Sequence, residues 1–147
     1  MPVLVTGAAG FIGYHVTEAL IARGESVTGF DSVNAYYDPA LKQARLARLA
    51  RHGDRFRLVR ADLADEGAFA AALGASGADR VVHLAAQAGV RHSIEHPGDY
   101  IRANLVGHFN VVEACRRHGG IGHLVYASSS SVYGGNDKLP FSVEDKV

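Results

Sequence analysis

An apolar, β-rich run over residues 3–6 breaks at Gly7, Ala8, Ala9 and Gly10 and resumes at once as a helical pattern over residues 11–23. Glycines 7, 10 and 13 are spaced three apart across this junction. Gly7 permits a sharp exit from the strand, Gly10 leaves bare backbone beside a bound anion, and Gly13 lets the helix lie close on the sheet. The amides at the helix start, near Phe11 and Ile12, then face that anion with the positive end of the helix dipole. A strand, a glycine turn and a helix in this order point to a β-α-β unit whose turn holds a pyrophosphate.

The alternation continues. Residues 26–30, 56–60, 80–84 and 123–127 read as strands, and residues 39–52 as a second helix. Asp65 is placed to cap a short third helix reaching Leu73. After a loop over residues 87–96, Pro97 opens a long helix that Gly119 and Gly120 close. In the first helix Ile12, Val16, Ala19 and Leu20 form the apolar stripe, terminated by Gly24. In the second, Leu46, Leu49 and Ala50 point inward, while Lys42, Arg45, Arg48 and Arg51 make a solvated face. Five short strands separated by helices predict an α/β fold, a doubly wound parallel sheet with helices on both faces, forming one domain over residues 1–147. The stretch after Tyr133 is turn-rich and carries no periodicity.

Fifteen Lys and Arg balance fifteen Asp and Glu, so no long-range field favours nucleic acid or an anionic membrane surface, and the expected partner is small. No apolar stretch approaches the ~18 residues of a membrane span, and no basic region precedes an apolar leader. The single cysteine, Cys115, falls in a helical run as a buried structural thiol, which suits a reducing cytoplasm.

Asp31 ends the second strand, where its carboxylate can accept both hydroxyls of an adenosine ribose and repel a 2′-phosphate. Ser32, Val33 and Asn34 follow without an arginine, and Arg45 and Arg48 are expected to lie too far along the next helix to matter. The predicted cofactor is therefore NAD rather than NADP.

With TGAAGFIG, Asp31, the pair Asp62 and Leu63, HLAAQAGVRHS and YASSSSVYG in order, the chain resembles the extended short-chain dehydrogenase/reductase family, whose NAD-binding domain is a Rossmann fold. The stretches VNAYYDPALKQARLARL, LVYASSSSVYG and KLPFSVED are most similar to the nucleotide-sugar 4-epimerases that act on UDP-glucuronate. The resemblance implies that Asp62 and Leu63 contact the adenine, that Leu84, Ala85, Ala86 and Gln87 line the cofactor cleft, and that Asn104 meets its cofactor side. It also makes Ser129 the catalytic hydroxyl, with Ser128, Ser130 and Arg91 available to the UDP-sugar. Serines at 130 and 131 replace the acid-base pair of the family's dehydratases, which disfavours elimination.

In that family a tyrosinate takes the sugar O4 proton while NAD accepts and returns the C4 hydride. A lysine four residues after the tyrosine lowers the phenol's pKa. No tyrosine in this sequence has a lysine at that position; Asp137 stands four residues after Tyr133. The resemblance therefore implies an amino-terminal portion, with the base and the substrate lobe beyond Val147, and an isolated chain without epimerase activity. A catalytically silent NAD-binding module, or another epimerase or dehydratase of the family, is the alternative. The family's enzymes pair through the long helix as homodimers, so Ile101, Leu105, Phe109 and Val112 are expected to lie uncovered and to drive self-association. His92 and His96 have a metal-type spacing, but Pro97 follows directly and no third ligand is apparent. Neither a GxSxG elbow nor a phosphate-loop lysine is present.

Overall fold

A computed structural model describes all 147 residues. Strands β1 (Pro2–Thr6), β2 (Ser26–Asp31), β3 (Phe56–Arg60), β4 (Arg80–His83) and β5 (His123–Tyr126) form one parallel sheet in the order β3-β2-β1-β4-β5. Along β1 the side chains alternate between faces, as the pleat requires. Val3 and Val5 pack with Ile21 and Val27 on one side. Leu4 packs on the other with Phe30, Phe69, Leu73, Val81 and Val111. The first face is covered by α1 (Phe11–Ala22) and α2 (Pro39–Leu49), the second by α3 (Ala68–Ser76) and α6 (His108–His118). The expected doubly wound α/β arrangement is the one observed.

Several local expectations shift. The buried face of α1 carries Gly13, Tyr14, Thr17 and Ile21, whereas Ile12 is 61% exposed and Ala19 is exposed. The reason is steric: Gly13 must meet the turn, and this rotates the helix so that the i, i+4 and i+8 positions from Gly13 face the sheet. On α2 the buried stripe is Lys42, Leu46 and Leu49, so Lys42 points inward and Ala50 outward. That helix gives way after Leu49 to a 3-10 turn over Ala50–Arg55. Asp65 does not cap α3; Gly67, at φ +78°, precedes it, and the Asp65 carboxylate turns to Arg102. The segment expected as a loop before Pro97 contains a short helix, α4 (Val90–Glu95).

The long helix opened by Pro97 is helical throughout but not uniform. A first turn, α5 (Pro97–Tyr100), leads into a π-helical stretch, Ile101–Gly107, before α6 begins. Gly119 closes it at φ +69°. Ile101, Leu105, Phe109 and Val112 are all exposed, as expected. Cys115 is buried, and burial pushes its thiol up.

Two contacts hold the carboxyl end of the sheet. A Cβ on Gly13 would stand 2.0 Å from the Gly7 carbonyl oxygen, so the crossing of α1 over the turn exists only without a side chain there. Beneath it, Thr6 Oγ1 accepts hydrogen bonds from the amides of Leu84 and Ala85, both at 3.1 Å. Its one proton is then donated to His83 Nδ1, 2.7 Å away. His83 therefore carries its own proton on Nε2 and is neutral, with its ring stacked 5.2 Å from that of His108. Burial first, and then the charge of His108, holds its pKa down to about 4.

Gly13→Ala should lower stability by about 1–3 kcal/mol or prevent folding, because backbone rather than a flexible side chain blocks the new methyl group; chemical denaturation measures the loss. The histidine gives a pH dependence. In the unfolded chain the imidazole protonates near 6.5, and in the folded chain only near 4. Its contribution is therefore complete above about pH 6.5 and is lost as pH falls through the interval to 4, by at most about 3 kcal/mol. Melting curves of the wild type should show that slope. In His83→Asn, whose amide oxygen can replace Nδ1 as the acceptor, the slope should be flattened.

Candidate functional site

The carboxyl ends of the strands open into a cleft of about 630 Å³, a volume ordinary for a small-ligand site. Its floor is Gly7 and Gly10; one wall is Asp31, Ser32 and Asn34 after β2, and the other runs from Leu84 to Gln87 after β4. Asp62 and Leu63, after β3, close the end. A smaller cavity of about 480 Å³ adjoins it at Phe11, Ile12 and Gly13.

The glycine turn is shaped for an anion. Gly7 adopts φ +70° and donates its amide to the Phe30 carbonyl at 2.8 Å. A Cβ on Gly7 would lie 2.9 Å from the Ala85 amide nitrogen. Gly10 caps α1 with no side-chain hydrogen bond, so the first amides of the helix are left for a ligand. Within the turn the Gly7, Ala9 and Gly10 amides are already paired, so the free backbone donors are those of the first turn of α1.

Asp31 stands over this turn, 9% exposed. One carboxylate oxygen accepts from the Ala9 amide at 2.9 Å, the other from Val33 at 2.8 Å. Each oxygen keeps a further lone pair, so the carboxylate is held in a fixed plane and can still accept two hydroxyl donors.

Lys42 is the residue that sequence reasoning placed wrongly. Its ammonium is buried beside the cleft, donating to the Asn34 carbonyl at 2.8 Å and to Asn34 Oδ1 at 2.6 Å. Burial holds its pKa below the usual lysine range, while the attraction of Asp31 opposes that shift. A signal was available: Lys42, Leu46 and Leu49 stand at i, i+4 and i+7 on one helix face. Arg45 is also nearer than expected. Its guanidinium donates to the Ala9 carbonyl at 3.3 Å and to the Tyr37 hydroxyl at 3.0 Å, which brings a second cation to the glycine turn. Arg48 lies instead over the ring of Tyr14.

Asn104 does not line the cleft. Its Oδ1 accepts the Gln87 amide at 2.8 Å and its Nδ2 donates to the Gln87 carbonyl at 2.9 Å, so it fixes the wall from behind. Ser128, Ser129 and Ser130 are exposed beyond β5 and are not among the lining residues. The Ser129 hydroxyl accepts the Ser131 amide at 3.3 Å, opening a 3-10 turn over Ser130–Tyr133. Arg91 is exposed. His92 sits 3.1 Å from the Asp99 carboxylate, at the rim of the cleft. No helix is long and apolar enough to cross a membrane.

Known proteins share this fold. A family model described as the NAD dependent epimerase/dehydratase family matches residues 3–147. UDP-glucuronate 4-epimerase 4 of Arabidopsis thaliana is 48% identical over 145 residues, covering 99% of this chain and 33% of the plant protein. Among solved structures, the UDP-glucuronic acid 4-epimerase from Bacillus cereus, in complex with UDP-glucuronic acid and NAD, aligns with a TM-score of 0.82 at 32% identity. That alignment covers 100% of this chain and 45% of the bacterial one. The UDP-glucose-4-epimerase from Stenotrophomonas maltophila, with NAD and formylated UDP-arabinopyranose bound, gives 0.83 at 33% identity over 99% of this chain and 42% of its own. The chain spans between a third and a half of the length of these relatives. Because the match runs from the first buried residue of β1 to the last residue of the sequence, the chain belongs to the NAD-dependent epimerase/dehydratase family.

Proposed function

We propose that this chain is the NAD-binding portion of a nucleotide-sugar 4-epimerase that interconverts UDP-glucuronate and UDP-galacturonate. The observation that carries the reading is the Asp31 carboxylate, fixed by the Ala9 and Val33 amides over a turn whose glycines leave only backbone facing the cleft. That donor and acceptor set suits a dinucleotide: amides at the α1 start for the pyrophosphate, and Asp31 for the ribose. Asp62 and Leu63 receive the adenine, and residues 84–87 hold the opposite side. When bound, NAD supplies the acceptor and donor for the C4 hydride.

The choice of UDP-glucuronate is supported by the identity with the plant 4-epimerase and by Ser130 and Ser131, which offer no acid-base pair for elimination. In this reading Ser129 holds the sugar O4, flanked by Ser128 and Ser130, and Arg91 meets the substrate anion. No residue of this sequence stands in the tyrosine-lysine relation that would give a phenolate, so the proton acceptor is assigned outside these residues. The exposed face of Ile101, Leu105, Phe109 and Val112 is given to a second copy.

Calorimetry should show NAD binding at least about tenfold tighter than NADP, about 1.4 kcal/mol. Asp31→Ala should narrow that gap, because Lys42 and Arg45 then face a 2′-phosphate without an opposing carboxylate. Equal affinity in the wild type would overturn the assignment of Asp31. Mixed with NAD and UDP-glucuronate, the 147-residue chain should release no UDP-galacturonate on chromatography; turnover would place the base within it.

A further inference from the structure

The π-helical stretch Ile101–Gly107 touches two walls of the cleft at once. Asn104 holds Gln87 on the β4 side. On the β3 side Arg102 donates from Nε to Asp62 Oδ2 at 3.1 Å and from Nη2 to Asp65 Oδ1 at 2.8 Å. The other oxygen of Asp62 accepts the Ala64 amide at 2.8 Å. The Asp62 carboxylate is thus held at both ends, by its own turn and by a side chain from a different element. Asp62, Leu63, Arg102 and Ala103 all line the main cleft.

An ionised carboxylate only accepts hydrogen bonds. A purine with an amino group at position 6 presents a donor to it, whereas one with an oxo group presents an acceptor that it repels. Such discrimination requires that the carboxylate stay in one orientation. Ala64 alone constrains one oxygen and leaves the plane free to swing. The guanidinium fork, itself anchored on Asp65, removes that freedom.

We infer that Arg102 is a positioning residue that, by orienting Asp62, makes this cleft select a 6-aminopurine dinucleotide over its 6-oxo counterpart. The inference rests on the reading of the cleft as an NAD site. Arg102 is more than half exposed, so its effect lies in orientation rather than in the strength of a screened ion pair. A merely electrostatic role would weaken every dinucleotide alike; a positioning role changes the ratio between two of them.

The test is titration calorimetry with NAD and with nicotinamide hypoxanthine dinucleotide, on the wild type, Arg102→Met, Arg102→Lys and Asp62→Asn, with melting curves to confirm folding. The wild type should prefer NAD by about tenfold. Arg102→Met should reduce that ratio by at least about threefold, Arg102→Lys should fall between the two, since an ammonium cannot bridge both carboxylates as the fork does, and Asp62→Asn should abolish the preference. Equal wild-type affinity for the two dinucleotides, or an Arg102→Met protein that binds both more weakly at an unchanged ratio, overturns the proposal. If Asp62→Asn removes the preference and Arg102→Met does not, Arg102 is excluded while the cofactor reading stands. If the folded wild type binds neither dinucleotide, the cofactor reading itself fails and takes this inference with it.

Discussion

The contact between Gly13 and the Gly7 carbonyl sets the geometry on which the rest of the cleft depends. With no room for a Cβ between them, α1 lies against the end of β1 and its first turn points across the sheet edge. That approach fixes the rotation of α1, so Tyr14, Thr17 and Ile21 are buried in place of a more apolar set. It also leaves the amides at the helix start without side-chain partners, which is the condition for binding an anion there.

Around this contact the strand ends that build the cleft are tied together by polar groups as well as by apolar packing. Thr6 joins β1 to the last residue of β4 and to the two residues after it through three hydrogen bonds on one oxygen. Asp31 joins the end of β2 to the glycine turn. Asn104 and Arg102, from one π-helical stretch, hold the segments after β4 and β3. A parallel sheet brings these ends to the same side, and a buried polar group there is tolerable only when its donors and acceptors are satisfied. The polar groups that frame the cleft are therefore paired within the fold, although most of its lining comes from loops.

Much of this was legible in the order of residues. The sheet, its parallel pairing and the place of the glycine turn follow from periodicity and from spacing along one short segment. The place of Asp31 at a strand end is likewise a sequence property. Lys42 runs against the usual link between charge and solvent, although its place on the stripe with Leu46 and Leu49 marks it as inward. Asn104 was placed in the cleft but acts on its backbone from behind, a distinction that depends on which way a helical side chain faces.

The sequence alone determined the fold class, the place of the glycine turn and the acidic residue at the end of β2, because each rests on local spacing between neighbours in the chain. Tertiary structure decided which face of α1 and α2 is buried, that Lys42 and Arg45 reach the cleft, and that Arg102 is tied to Asp62. Those facts depend on contacts between segments tens of residues apart. Local periodicity supplies a set of possible faces for each element, and only steric closure of the whole sheet selects among them.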